Sequence, residues 1–245
     1  IIFNIKIIMT LSKLAPIVLF TYNRPNHLSQ TINSLKKNLL ANESNLYIYS
    51  DGPKNNQDAN LVSLVREYIK SIDGFKSINI IERDKNWGLA NNIINGVTSV
   101  VNEYGKIIVL EDDLILSPYY LNFLNNALNH YKDEKKVWHI SGYNLPFDSN
   151  GLADTYFMRL MICSGGWGTW ADKWNYFERN PKKLLEEFSQ KDIFHFNLEG
   201  ARLFWNQVKY NVNGKLNTWA IFWYATIYKN EGVCLNPSHS YSRNI

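Results

Sequence analysis

The stretch from Lys106 to Pro118, KIIVLEDDLILSP, sets three carboxylates, Glu111, Asp112 and Asp113, between two apolar runs. Ile107 to Leu110 have the length and character of a buried strand, and the apolar character resumes at Leu114 to Leu116. Like charges at this spacing raise one another's pKa unless a cation offsets them. A hard divalent ion, Mg²⁺ or Mn²⁺, bound by one or two carboxylates and by substrate phosphates, meets that need. A plainer reading is an acidic turn ahead of a helix capped at Ser117, because carboxylates suit a helix N-terminus. It accounts for acids near Ser117 but not for three of them ending a buried strand. The acids therefore point to metal and phosphate chemistry.

The chain contains neither G-x-x-x-x-G-K-[ST] nor G-x-G-x-x-G, which excludes a P-loop and a dinucleotide fingerprint. A nucleotidyltransferase would also place acids at a strand end, but it would cradle its triphosphate with a Gly-rich loop after the first strand. Here that position reads TYNRPNHL, and Arg24 stands there as a candidate bidentate binder of phosphate or carboxylate.

The elements that must carry these groups can be read from periodicity. Ala15–Phe20 is an apolar run of strand length, followed by TYNRP and by Leu28, Ile32, Leu35 and Leu39 at helical spacing. Pro25 suits the first turn of that helix. Leu46–Ser50 reads as a second strand broken by DGP, and Leu61 to Ile72 as a helix. Ile78–Asp84 is a third strand, the residues from Leu89 to Val100 form a helix ending near Gly105, and Ile107–Leu110 is the fourth strand. Ser117 and Pro118 would cap and start a helix through Tyr131. Such alternation specifies an α/β fold with a mostly parallel sheet and helices on both faces. Ligands bind outside the carboxyl ends of strands in such sheets. The polar groups that follow the four strands are then Thr21, Asn23 and Arg24; Asp51; Arg83, Asp84 and Asn86; and Glu111, Asp112 and Asp113, all on one rim.

Composition narrows the function further. With 245 residues, a net charge of +4 and lysines scattered among acids, no basic stripe selects nucleic acid as a partner. The opening IIFNIKIIM is too short to span a bilayer, so no transmembrane segment is expected, and residues 1–8 read as an upstream or added segment ahead of Met9. Cys163 and Cys234 match no metal-ligand spacing and read as buried thiols of a reducing, cytoplasmic compartment. Trp167, Trp170, Trp174, Trp205, Trp219 and Trp223 crowd the second half. Their rings suit sugars, but a large aromatic core is the stronger reading.

Taken together, VLFTYNRPNHLSQTINSL, YSDGP, DKNWGLANNIINGV and VLEDDLILSP resemble the nucleotide-sugar-binding half of a glycosyltransferase with the GT-A fold, a Rossmann-like sheet. The bacterial family-2-like sugar transferases and the N-acetylglucosaminyltransferase I type are the nearest likenesses. The resemblance covers residues 15–130, the expected nucleotide-sugar half of a single domain over 9–245. It continues more loosely through SGGWGTWADKWNYFE and NTWAIFWYATIYKNEG in an acceptor-side half, 131–245. It implies that Thr21, Asn23 and Arg24 line the nucleotide and diphosphate, that Asp51 pairs with the base edge, and that Asn86, Trp87 and Gly88 bound the donor pocket. It makes Asp113 the metal ligand, Asp112 a ribose contact and Glu111 a donor-sugar contact.

The chain departs from the pattern in two places. Relatives often carry an acid before Thr-Trp that is a candidate general base, and here Asn217 cannot take a proton. Asp172 and Glu178 are the alternative base candidates, each equally readable as a solvated surface acid. Relatives also continue into a segment with a metal-ligating His, whereas this sequence stops at Ile245, so a truncated C-terminus is expected, and His239 reads as a loop residue. The expectation is an inverting, metal-dependent transferase. It would move a sugar from a UDP-linked or other nucleotide donor to a glycan or lipid-linked glycan of a surface polysaccharide, with peripheral membrane association. A catalytically silent nucleotide-sugar-binding domain and a sugar nucleotidyltransferase are the alternatives.

Overall fold

The computed structural model describes residues 13–146, 151 and 153–245; the expected upstream segment 1–8 lies outside them. The first half follows the alternation read from the sequence. It runs β1 (Ile17–Thr21), α1 (Pro25–Lys36), β2 (Asn45–Ser50), α2 (Asn56–Lys70), β3 (Ser77–Glu82), α3 (Leu89–Tyr104) and β4 (Lys106–Glu111). These four strands pair in parallel in the order β3-β2-β1-β4. Every residue of β1 is buried, as expected of a strand covered on both faces. Ile17 and Leu19 enter the core under α1 and α2, while Val18 and Phe20 enter the core under α3, following the two-residue period of a strand.

Local chemistry sets the helix ends. Pro25 opens α1, and the Asn55 side chain accepts from the Asp58 N–H at 3.0 Å to cap α2. α3 is bracketed by Gly88 (φ 72°) and Gly105 (φ 80°), conformations that a side chain disfavours. Two expected boundaries shift. α1 stops at Lys36, so Leu39 is exposed, and the helix after the acids, α4 (Tyr120–His130), starts beyond Ser117 without a side-chain cap. The intervening Leu114–Leu116 forms a short strand, β5.

The second half was less legible. It adds β6 (Val137–Ser141), β7 (Thr155–Met158) and β8 (Trp167–Trp170), then α5 (Ala171–Trp174), α6 (Pro181–Glu187), α7 (Gln190–Phe196), α8 (Trp205–Val212) and α9 (Ala220–Lys229). It closes with β9 (Val233–Pro237) and β10 (Ser242–Asn244), the latter antiparallel to β5. Strand β8 lies antiparallel between β4 and β6, which extends the sheet to β3-β2-β1-β4-β8-β6-β9-β7. All six of the tryptophans noted above are buried, so the core reading holds. Trp167 stacks on Trp219 at 5.2 Å, and α9 is buried around most of its circumference.

His139 sits inside this aromatic core, stacked on Trp167 at 5.3 Å. Its Nε2 lies 3.0 Å from the Ile162 carbonyl, and its Nδ1 lies 3.3 Å from the Trp223 indole nitrogen, which donates. Only the neutral tautomer with the proton on Nε2 satisfies both contacts. Burial pushes the imidazole down to about 4. The unfolded chain therefore binds one more proton than the folded one between about pH 6.5 and 4, and stability is lost as pH falls through that window. Urea titrations at pH 7 and pH 4 should differ by roughly 3 kcal/mol from this residue, and His139→Gln should remove most of that difference.

Candidate active site

In this strand order the chain winds outward from β1 through β2 to β3 and then crosses back, so that β4 joins the other side of β1. That is the switch point at which a parallel sheet opens a crevice. The loops after β1 and β4 meet there. Thr21 Oγ1 donates to Asp112 Oδ2 at 2.8 Å, and the Tyr22 N–H donates to the same oxygen at 3.3 Å. The Arg24 guanidinium bridges both acids, pairing with Asp112 Oδ1 and, at 3.1 Å, with Asp113 Oδ2.

The three acids have different surroundings. Asp112 is buried; burial raises its pKa, and Arg24 together with the Thr21 and Tyr22 donors works against that rise. Arg24 is held above its ordinary value: burial opposes its charge, but Asp112 and Asp113 outweigh burial. Glu111, at the end of β4, is pushed up to about 7, first by burial and then by Asp113 and Asp112. No hydrogen-bond partner for its carboxyl occurs among the described residues.

A cleft of about 170 Å³ opens at these strand ends. Thr21, Arg24, Asp51, Asn86, Gly88, Glu111 and Asp112 line it, so the structure brings these expected residues together. Asp51 accepts from the backbone N–H groups of Gly52, Trp87 and Gly88 and from Asn86 Nδ2, at 2.8–3.2 Å. Trp87 packs beside the cleft, with the Arg83 guanidinium 3.9 Å from its ring centroid. Asp113 is not among the residues that line the cleft; partly exposed, it pairs with Arg24, which does line it. Asn23 turns away and donates to Asp58 Oδ1 at 2.7 Å, fastening the loop to the start of α2.

Sequence reasoning missed Tyr22, Lys54, Leu89 and Asn92, which also line the cleft. Tyr22 and Lys54 lie within a few residues of a strand end already singled out, whereas Leu89 and Asn92 sit at the start of α3. The signal was their position, and their neutral or common side chains concealed it. The two candidate bases lie elsewhere. Asp172 pairs with Lys173 at 3.2 Å, and Glu178 pairs with Lys183 at 2.7 Å beside a separate cavity of about 240 Å³. Asn217 accepts from Arg179 at 2.5 Å, and Arg179 also reaches Asn91 in the first turn of α3. A larger groove, about 650 Å³, crosses α4 and Tyr241 and carries no carboxylate, so we take the smaller cleft as the chemical site.

Among the described residues, no cluster of three or more His, Cys, Asp or Glu side chains is arranged to hold an ion. A divalent cation shared with substrate phosphates requires only one or two carboxylates. The Asp112–Asp113 pair already gathers a cationic guanidinium between its oxygens. The donor set therefore fits Mg²⁺ or Mn²⁺ in that shared mode.

The Glycosyl transferase family 2 model matches residues 17–208. No curated protein matches the chain. Among solved structures, a fragment of S. aureus TarS (residues 1–349) is similar over 94% of this chain and 59% of its own, at 11% identity and a TM-score of 0.53, which supports the shared fold. The mannosyltransferase PcManGT from Pyrobaculum calidifontis, in complex with GDP-Man and Mn²⁺, is similar over 52% of this chain and 34% of its own, at 12% identity and a TM-score of 0.39. The chain thus spans less than two thirds of the length of these structures. With 17–208 matched, and with the acids at the switch point of a GT-A sheet, the chain belongs to Glycosyl transferase family 2.

Proposed function

We propose that the protein is a metal-dependent, inverting glycosyltransferase. It would move a sugar from a nucleotide-diphosphate donor, UDP-linked, to a glycan or lipid-linked glycan in surface polysaccharide or lipopolysaccharide synthesis. The observation that carries the proposal is the meeting of Arg24, Asp112 and Asp113 at the switch point, with the unpartnered Glu111 carboxyl facing the same cleft. Asp51, Asn86, Trp87 and Gly88 bound the base end, Thr21 and Asn23 shape the loop beneath the nucleotide, and Asp112 faces the ribose. Asp113 would hold Mn²⁺ or Mg²⁺, which supplies charge neutralisation for the departing diphosphate. Arg24 adds a second cation for the same phosphates. Glu111 accepts hydrogen bonds from the donor sugar.

Residues 15–130 would form the donor half and 131–245 the acceptor half, joined through the β4–β8 pairing. The link to the N-acetylglucosaminyltransferase I type belongs to the same proposal and rests on the order of the four motifs. Among the described residues, no helix is long and apolar enough to cross a membrane. We place the protein in the cytoplasm, peripheral at the inner face of the cell membrane, where lipid-linked acceptors present their glycans.

A second reading is supported by Asn217: a donor-binding domain without transferase activity. Incubation with UDP-sugars, Mn²⁺ and a panel of glycans decides between the two. Release of UDP that depends on both glycan and metal supports transfer. Donor binding without UDP release supports the silent domain, and nucleotide-sugar formation from a sugar phosphate and a nucleoside triphosphate would show a nucleotidyltransferase instead.

A further inference from the structure

Apart from the cleft, a groove of about 650 Å³ runs over α4, and the two share no lining residue. They lie on opposite faces of the sheet. Phe123, Tyr131 and Tyr241 of the groove pack on the core under α1 and α2, whereas Phe20 of the cleft belongs to the core under α3. Leu121, Leu124 and Leu128 turn one side of α4 into its core. The outer side carries two rows at four-residue helical spacing. Tyr119, Phe123, Ala127 and Tyr131 form one row, and Asn122, Asn126 and His130 form the other. From Tyr119 to Tyr131 the first row extends about 18 Å along the helix.

The rings of the first row are held in place. Tyr241 stacks on Phe123 with centroids 4.5 Å apart, and Tyr131 meets Phe157 edge-on at 5.5 Å. Tyr241 is itself fixed by its backbone: its N–H donates to Gly142 at 3.0 Å, and its carbonyl accepts from Ser117 at 2.7 Å. Tyr119 is 59% exposed, so its ring is open to a ligand. The second row is uncommitted. Asn125 and Asn129, which belong to neither row, accept from the Ala15 N–H at 2.8 Å and from Lys106 at 2.5 Å. By contrast, Asn122 Oδ1 has no hydrogen-bond partner among the described residues, and Asn126 is exposed. A side-chain amide both donates and accepts, so it can meet a hydroxyl in either role. No Asp, Glu, Lys or Arg is among the described residues that line the groove, so nothing there attracts a phosphate, a uronic acid or a charged peptide.

We propose that this groove is a carbohydrate site separate from the cleft, and that its ligand is an uncharged stretch of glycan. A sugar ring has an apolar face and a rim of hydroxyls, which a row of aromatic rings beside a row of amides complements. The β5–β10 ladder runs between the two sites, with Asp113 at one end and Tyr241 at the other. The binding itself does not depend on the donor cleft; that the bound glycan is the remote part of an acceptor rests on the proposed function.

The test is titration of the full chain, without nucleotide or metal, with maltohexaose, cellohexaose and chitohexaose, and with the acidic hexagalacturonate for comparison. At least one uncharged hexamer should bind at millimolar concentration, and hydrogen exchange should slow at 119–131 and around 241 but not at 86–92. Tyr119→Ala should weaken that binding about tenfold and Asn126→Ala about threefold, both at exposed positions that leave the unfolding midpoint in place. Neither variant should move the affinity for UDP with Mn²⁺ by more than about twofold. No binding by any uncharged hexamer, equal binding of hexagalacturonate, protection at other segments, or binding indifferent to Tyr119→Ala would each overturn the proposal. Self-association that Tyr119→Ala abolishes would make a second copy the occupant and overturn it as well. A protein that binds a hexamer but no nucleotide keeps the groove while the donor-site reading fails, and one that binds UDP but no hexamer does the reverse.

Discussion

Asp113→Asn should remove the metal-dependent part of UDP binding expected of the proposed donor site and leave the fold intact. The side chain is partly exposed and makes one ion pair, at 3.1 Å, with Arg24, which lines the cleft. Losing such a pair has little effect on stability. The backbone contact at this position, from the Ile245 N–H to the Asp113 carbonyl at 3.0 Å, does not depend on the side-chain charge. Losing a charged partner is worth roughly 1.5–3 kcal/mol, so calorimetry with Mn²⁺ should show UDP affinity reduced about ten- to a hundredfold. Asp112→Asn should behave differently. That carboxylate is buried and holds Thr21, Tyr22 and Arg24 together, so its loss should lower the unfolding midpoint as well as the affinity. If Asp113→Asn bound UDP and Mn²⁺ as tightly as wild type, Asp113 would not be the metal ligand.

Asn217→Asp should raise turnover by roughly 10²–10⁴-fold at nearly unchanged donor affinity, because a positioned general base acts on the chemical step. Asn217 is held by Arg179, which also reaches Asn91 in the first turn of α3, close to the cleft wall. An aspartate there would keep the Arg179 contact and remain ionised. The native chain, with an amide at this position, should bind its donor and transfer slowly. The other two candidates are less suited to the role. Lys183 holds the Glu178 carboxyl below its ordinary range, and Asp172 is largely exposed beside Lys173. Fast transfer by wild type, abolished by Asp172→Asn or Glu178→Gln, would place the base on one of them and show that position 217 has no catalytic part.

Strands β1 and β4 were legible because central parallel strands are buried on both faces and read as apolar runs, whereas the half-exposed edge strand β3 was legible from its β-branched Ile78, Ile80 and Ile81. Gly105 and Pro25 marked helix ends through backbone conformation alone, which is local information. The order of β8, β6, β9 and β7 was not legible. Trp167–Trp170 could be recognised as apolar, but its antiparallel insertion between β4 and β6 depends on pairings across long sequence separations. The same division applies to the site. The acids and Arg24 stood out by type and position, whereas their partners did not. That Asn23 turns to Asp58, and that Asp51 is filled by residues 86–88, follows from how α2 and the α3 entry pack, which no local pattern encodes.

The central claim, a nucleotide-diphosphate sugar held with a divalent ion at the β1–β4 crevice, is tested most directly by thermal unfolding. The protein should be unfolded with UDP-, GDP-, ADP- and CDP-linked sugars, each with and without Mn²⁺. A ligand present at a hundred times its Kd stabilises the folded state by about 2.7 kcal/mol, which for a chain of this size raises the midpoint by roughly 5–11 °C. The account predicts such a rise for a UDP-linked sugar with Mn²⁺, a much smaller one without it, and a similarly reduced one in Asp113→Asn even with the metal. Midpoints unmoved by every nucleotide sugar, or a rise of the same size without the metal, would contradict it.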